Sequence, residues 1–236
     1  MKLQAMTAVV ALGLFVGSAQ AADLAPLPTN YGYYVSLFGG ANFLESADVS
    51  IDPLASDLDD DFGRIGFDTG FVAGGTFGLE FIPGWRSEVE LSYRKNDVSS
   101  YFEGTITNNL ASSGDAIGAL AIMANVWKDF HLSDNIGLHV GGGIGAANLD
   151  LTMANVDDTD PLASINDDAW VLAGQAGAGF SWALGNNMVA TIDYRFFITD
   201  KATFNGVDND DDPFTFSHDY MSHSVMAGLR IPLGGN

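Results

Sequence analysis

Eight segments of the chain alternate between apolar and polar residues with a period of two. This period is typical of β-strands, because successive side chains of a strand point to opposite faces of the sheet. The predicted strands are 31–43, 67–82, 85–95, 115–128, 135–149, 168–184, 188–199 and 220–233. The sequence therefore predicts an all-β fold.

The connections between the predicted strands alternate in length. Residues 83–84, 131–134 and 185–187 form brief turns, whereas the other four connections are long and polar. Short turns at one end and long loops at the other are typical of bacterial outer-membrane barrels. We therefore predict an eight-stranded antiparallel up-and-down transmembrane β-barrel. Its interior is expected to be only wide enough for side chains to fill it.

The first brief turn predicts two pairings across the sheet. If its hairpin loop has three residues and ends at Gly84, this glycine takes the left-handed conformation that such loops require. Phe81 then faces Trp85 on one side of the sheet, and Glu80 faces Arg86 on the other. We expect Glu80 and Arg86 to form an ion pair.

Charged residues of both signs share the polar faces of the strands. We expect the opposite, apolar faces to contact lipid, with Leu91, Trp170 and Ile192 among their residues. A predicted charge network in the lumen consists of Glu80, Arg86, Glu88, Glu90, Arg94, Asp193, Arg195 and Arg230. Its four acids and four bases can neutralise one another in a narrow interior. In the alternative, a soluble barrel, the same faces are solvated.

Aromatic residues lie near both ends of the apolar faces, 8 to 12 residues apart. Ten residues of a tilted strand cover roughly 25 Å, which is the height of the apolar band of a membrane barrel. The spacing thus predicts two aromatic girdles. Their candidate members are Phe71, Phe81, Trp85, Tyr93, Trp170, Trp182 and Tyr194.

The N-terminus has the pattern of an export signal. Lys2 precedes an apolar run at 6–17, and Ala-Gln-Ala at 19–21 fits a small-x-small cleavage site. The apolar run is too short to span a bilayer as a helix. We predict a signal peptide at 1–21, a periplasmic lead-in at 22–30 and an outer-membrane barrel at 31–236.

The chain is strongly acidic, with 30 Asp and Glu against nine Lys and Arg, a net charge of −21. This balance excludes the basic surface that nucleic-acid binding requires. The chain has no cysteine, which excludes disulfides, thiolate catalysis and cysteine-based zinc sites. We predict no cofactor.

The acids concentrate in three segments predicted as loops, 45–61, 150–168 and 200–219. Such loops form a hydrated anionic surface, or they bind divalent cations that bridge to lipopolysaccharide, since carboxylates favour hard cations. Asp208, Asp210 and Asp212 have the opening spacing of a calcium loop. They are weak metal candidates, because Pro213 replaces the turn glycine and no glutamate follows at the last ligand position.

The histidines do not predict catalysis. His131 and Ser133 lie on a turn away from the outer leaflet, and His139 is expected to face the lumen. The serines on either side of His223 point to the opposite face of its strand. The glycine-rich run 141–145 is not followed by a helix, so close packing in the barrel wall explains it better than a dinucleotide loop.

Four stretches carry a family resemblance: Ala-Ala-Asp-Leu at 21–24, the opening at 31–38, Asp-Tyr-Arg-Phe at 193–196 and the final strand at 223–230. They resemble small surface-antigen barrels of α-proteobacteria, in the opacity-protein/OmpA-like class often labelled the porin family. The resemblance implies an outer-membrane location among lipid and lipopolysaccharide, and assembly by the barrel-assembly machinery. That machinery usually reads a terminal aromatic residue, whereas this chain ends Gly-Gly-Asn.

Three functions are compatible with this picture. The first is a structural surface role in the cell envelope, with the acidic loops outside the cell. The second is a narrow channel or the binding of a small haem-like ligand. The third is a lipid A-modifying enzyme, which the histidine pattern disfavours.

Overall fold

A computed structural model describes residues 32–53, 62–103, 106–108, 114–153, 164–184, 188–207 and 213–233. Eleven strands lie in these ranges: β1 (Tyr33–Leu44), β2 (Ala47–Pro53), β3 (Phe62–Phe67), β4 (Gly70–Ile82), β5 (Trp85–Glu103), β6 (Ile106–Asn108), β7 (Ala116–His131), β8 (Ile136–Met153), β9 (Ser164–Ala183), β10 (Val189–Val207) and β11 (Pro213–Leu233). Within the described ranges, no helix is long and apolar enough to cross a membrane.

Eight of the strands close into a ring in the order β1–β4–β5–β7–β8–β9–β10–β11. The ring is completed by β11, which pairs antiparallel with β1 from Tyr33–Leu233 to Leu44–Ser222. The other neighbours in the ring are also antiparallel. Closure leaves no strand of this described ring at a sheet edge. The predicted eight-stranded antiparallel up-and-down barrel is therefore confirmed.

The short strands β2 and β3 lengthen the barrel at one end. β2 pairs with the first residues of β11, and β3 pairs with the last residues of β5. At this level they take the places of β1 and β4 in the ring. β6 adds a short hairpin on β5. We call this end the loop end, and the opposite end, which carries the brief turns, the turn end.

The strands extend further towards the loop end than the sequence predicts. β5 continues to Glu103 instead of residue 95, and β11 begins at Pro213 instead of residue 220. The alternation continues there with inverted polarity: Leu149 and Leu151 are buried, whereas Asp150 between them is exposed. The predicted loops 45–61, 150–168 and 200–219 are thus partly strand, and Asp150, Asp168 and Asp200 lie on its outer face. Residues 54–61, 154–163 and 208–212 lie outside the described residues.

The first turn confirms one prediction and corrects another. Gly84 has φ of +69°, in the left-handed region. The predicted pairing of Phe81 with Trp85 is wrong, because Ile82 lies opposite Trp85 after a register shift in β4. Phe81 is itself the extra residue of this irregularity, so it lies opposite no residue of β5.

The two faces of the wall have opposite character. Leu91, Trp170 and Ile192 lie on the outer face, exposed by 56%, 62% and 50%. Arg94 and Arg195 point inwards and are buried. The outer face therefore presents an apolar belt around the barrel, and the charges lie inside it.

Candidate functional site in the barrel interior

The inward-facing side chains of β5 form one row along the lumen. Arg86, Glu88, Glu90 and Arg94 occupy alternate positions of this strand, and all four are buried. The period of two places them on one face. Burial of so many charges requires compensating partners, and neighbouring strands supply them in three groups.

The first group surrounds Glu88 near the turn end. Arg86 contacts Glu88 as an ion pair, and its Nε lies 2.8 Å from Oδ2 of Asp129. The Tyr34 hydroxyl donates to Oε1 of Glu88 at 2.7 Å, and Nε1 of Trp127 donates to Oε2 at 2.9 Å. Both carboxylate oxygens of Glu88 are thus hydrogen-bonded.

The second group surrounds Glu90. Arg195 of β10 forms an ion pair with Oε2 of Glu90. The side-chain amides of Asn125 and Gln175 both donate to the same oxygen at 3.0 Å. Residues from three other strands therefore converge on one carboxylate inside the barrel.

The third group pairs His139 of β8 with Asp193 of β10. Nε2 of His139 lies 2.6 Å from Oδ1 of Asp193, and the Thr191 hydroxyl donates to Oδ2 at 2.7 Å. The His139 ring also makes an edge contact with Trp127. This contact joins the third group to the first.

The remaining predicted members of the network lie at its margins. Glu80 is opposite Arg86 in the register, yet the two do not form the predicted ion pair. Arg86 turns to Glu88 and Asp129, while Glu80 accepts a hydrogen bond from the backbone N–H of Gly84 at 3.3 Å. The prediction failed because the guanidinium reaches along its own strand and across to β7.

All four arginines of the predicted network lie over aromatic rings, including the two at its margins. The guanidinium of Arg94 lies 4.0 Å from the Phe197 ring centroid, and that of Arg230 lies 5.1 Å from the centre of the Tyr34 ring. Such placements stabilise a cation through the ring's negative face. Arg94 also donates to the Ser92 hydroxyl.

An apolar core fills the lumen on the loop-end side of these groups. Its fully buried members come from four strands of the ring: Ile117, Ala119, Ala121, Met123, Ala147, Leu149, Leu151, Phe197, Ala202, Phe204 and Tyr220. A cavity of about 30 Å³ lies between the polar groups and is bordered by Thr76, His139 and Arg195. That volume holds one or two waters.

Comparisons with known proteins agree with this architecture. Residues 7–230 match the family model described as "Outer membrane protein beta-barrel domain". The chain belongs to this family. No curated protein matches the chain.

Solved structures of outer-membrane β-barrels are similar to this one in fold. OprG from Pseudomonas aeruginosa has a TM-score of 0.56 at 15% identity, over 86% of this chain and 98% of that chain. Neisserial surface protein A (NspA) has a TM-score of 0.50 at 15% identity, over 86% and 97%. AlkL has a TM-score of 0.50 at 16% identity, over 92% and 96%. Such low identities show the fold alone.

Membership in this family locates the barrel in the cell outer membrane, as predicted. The apolar belt is then the lipid-facing surface. By the usual orientation of such barrels, the turn end is periplasmic and the loop end is extracellular. Both ends of the described chain, β1 and β11, meet at the periplasmic end.

The structure places the candidate girdle residues on the outer face of this outer-membrane barrel. Six of them are exposed and Trp182 is partly exposed. Phe71 contacts Tyr93 towards the extracellular end, with ring centroids 6.0 Å apart. Phe81, Trp85 and Trp182 lie at the periplasmic turns. A division into two girdles at the membrane boundaries stays a prediction.

The other sequence candidates do not assemble a catalytic or metal site. In the described part of the chain, no cluster of three or more potential metal ligands occurs. Asp208, Asp210 and Asp212 lie outside the described residues, as do the predicted signal peptide and lead-in. Ser222 and Ser224 are buried in the lumen, whereas His223 lies on the outer face.

The glycine run 141–145 packs closely in the wall, as expected. A Cβ on Gly141 would lie 2.6 Å from the Trp127 ring, and one on Gly143 would lie 2.0 Å from Oδ1 of Asn125. These glycines make room for the large inward side chains of β7.

Several members of the site escaped the sequence analysis, namely Tyr34, Asn125, Trp127 and Asp129. In β7, both faces are apolar over much of the length, so alternation gave no signal for its inward residues. Asp129 follows the predicted end of that strand at residue 128. The available sequence signal was the presence of Asn125 and Trp127 in a largely apolar strand.

Proposed function

We propose that this outer-membrane β-barrel is a non-catalytic structural protein of the cell envelope, with a closed lumen and an acidic extracellular end. The proposal rests on the observation that side chains fill the lumen. In the described part of the barrel, each of the eight ring strands contributes buried inward side chains. The polar groups neutralise one another near the periplasmic end, and the apolar core lies above them.

The extracellular extension of the barrel supports a surface role. Its outward side chains include Asp150, Asp168 and Asp219, while inward side chains such as Leu149, Leu151 and Phe204 belong to the apolar core. Asp167 accepts hydrogen bonds from the backbone and side-chain N–H groups of Asn205 at 2.7 and 3.0 Å. These two hydrogen bonds, chiefly the one from the backbone N–H, hold the pKa of the Asp167 carboxyl below its ordinary value. The extension therefore carries negative charge on an ordered scaffold.

The purified barrel is expected to insert into planar bilayers without producing conductance steps. An eight-stranded barrel is just wide enough for its own side chains, and here those side chains are large. A variant with Phe197, Phe204, Trp127 and Arg195 replaced by alanine is the matched control, because it removes large side chains from both the apolar core and the polar groups. This variant should produce small, discrete current steps.

Regular conductance steps from the wild-type protein would contradict the closed lumen and favour a narrow channel. Insertion must be verified in the same preparation by heat-modifiable gel mobility. In cells, deletion of the gene should increase sensitivity to detergents and leave the mass spectrum of lipid A unchanged. A loss of one lipid A modification would contradict the non-catalytic role.

A further inference from the structure

Three polar side chains form a hydrogen-bonded chain on the outer, lipid-facing surface. The Tyr194 hydroxyl lies 2.6 Å from Nδ1 of His223, and Nε2 of His223 lies 2.9 Å from Oε1 of Glu45. All three side chains are substantially exposed, the glutamate by 52% and the imidazole by 36%. The network in the lumen does not include them.

Aromatic rings surround the histidine of this chain. In the register, His223 lies between Phe43 of β1 and Phe196 of β10. Its ring centroid is 5.2 Å from that of Phe196 and 5.9 Å from that of Tyr194. The surface there combines exposed ring faces with a row of polar atoms.

The three hydrogen-bonded side chains, the polar row, lie at the height where lipid headgroups begin. β11 ends at Leu233 at the periplasmic end, and His223 lies ten residues before it, towards the extracellular end. Ten residues of a tilted strand rise by roughly 25 Å, about the height of the apolar band of a membrane barrel. Glu45 follows the last residue of β1 and lies at the same boundary. The polar row therefore meets the outer leaflet between its acyl chains and its headgroups.

The hydrogen-bond roles determine what the row offers to a ligand. An ionised carboxylate only accepts, so Nε2 of His223 donates to Glu45. A neutral imidazole then accepts the Tyr194 proton at Nδ1. The tyrosine oxygen keeps lone pairs that can accept, and so does the second carboxylate oxygen of Glu45, on two exposed side chains. Both are acceptors, so the row suits a ligand rich in hydroxyl donors and offers no donor to a phosphate group alone.

We propose that Glu45, His223 and Tyr194 form a binding site for the sugar headgroup of a glycolipid in the outer leaflet. Sugar hydroxyls donate to Glu45 and Tyr194, and the apolar C–H face of the sugar packs on the ring of Phe196 or Phe43. His223 holds the two acceptors in a fixed geometry. The site depends on the outer-membrane location and not on the closed lumen, so it is tested separately from conductance.

The test measures the thermal unfolding midpoint of the full barrel in phosphatidylcholine vesicles with one added lipid. The added lipids are lipid A, an uncharged diglucosyl diacylglycerol and phosphatidic acid. They supply sugar with phosphate, sugar alone and phosphate alone. The wild-type midpoint should rise with both sugar lipids and not with phosphatidic acid, because ligands that bind the folded state stabilise it.

Two variants should lose this response. Tyr194→Phe and His223→Phe keep an aromatic ring and remove a polar partner, so glycolipid affinity should fall about tenfold. Tyr93→Phe is the matched control: it is another exposed tyrosine of the outer face, in contact with Phe71. It should respond as the wild type does. Each variant must first show wild-type heat-modifiable mobility, which establishes that it folds.

Three results would overturn the site. One is an equal rise with phosphatidic acid, which assigns the effect to charge. Another is a full response to the sugar lipids in folded Tyr194→Phe and His223→Phe. No response of the wild type to either sugar lipid would overturn it as well.

Discussion

Replacing Arg195 with alanine is expected to destabilise the barrel by about 3–5 kcal/mol, because it leaves a buried carboxylate without its ion-pair partner. Glu90 is completely buried, forms an ion pair with Arg195 and accepts hydrogen bonds from Asn125 and Gln175. The two amides donate hydrogen bonds and cannot neutralise the charge. Glu90→Ala should cost at least as much, since it also removes a buried acid on the same inward face of β5 as Arg94.

The double variant separates this account from simple loss of packing. If the pair is coupled, Glu90→Ala with Arg195→Ala costs about as much as the more damaging single change. Urea unfolding of the barrel in lipid vesicles measures all three. Lys95→Ala is the control, because Lys95 forms an exposed pair with Asp97 at 3.8 Å and such pairs contribute about 0–1 kcal/mol. Additive losses at Glu90 and Arg195 would show that they are not partners.

The second large effect is expected at a glycine of β1. Gly40→Ala should destabilise the barrel by about 3 kcal/mol, since overpacking of a tight interior forces backbone shifts. The added Cβ would lie 2.0 Å from the backbone oxygen of Val225 and 2.6 Å from Cα of Met226. Strand-to-strand spacing in a closed ring leaves little room for such a shift.

The preceding residue provides a matched control for this glycine. Gly39 lies on the outer face, and its added Cβ would be 3.6 Å from the backbone oxygen of Val72. Neither glycine has a positive φ, so the two changes differ in contacts and not in backbone strain. Gly39→Ala should change the unfolding free energy by less than about 0.5 kcal/mol. Equal costs at the two positions would contradict the close approach of β1 and β11.

The barrel and its polarity could be predicted from the sequence for a physical reason. Across the membrane-spanning part, lipid lies outside and polar groups lie inside, so the period of two is unambiguous in β5 and β10. Leu91 and Ile192 fall on one face and Arg94 and Arg195 on the other. The brief turns gave the order of the strands.

The extracellular extension was predicted poorly because polarity inverts there. Water replaces lipid outside, so acids such as Asp150 occupy outward strand positions and resemble loop residues in the sequence. The partners of the buried charges were also missed in part. Alternation gives the face of a residue, but the side-chain conformation and the stagger between strands together decide whether Arg86 reaches Glu80, Glu88 or Asp129.

The central claim is that lipid contacts the face bearing tryptophans and leucines while arginines and glutamates meet inside. The four tryptophans test it directly, since Trp85, Trp170 and Trp182 lie on the outer face and Trp127 is buried in the lumen. The measurement is fluorescence quenching in vesicles of lipids with brominated acyl chains. A variant that keeps only Trp127, with phenylalanine at the other three positions, should be scarcely quenched. The Trp127→Phe variant should be quenched strongly. Strong quenching of Trp127 together with shielding of the other three would contradict the account.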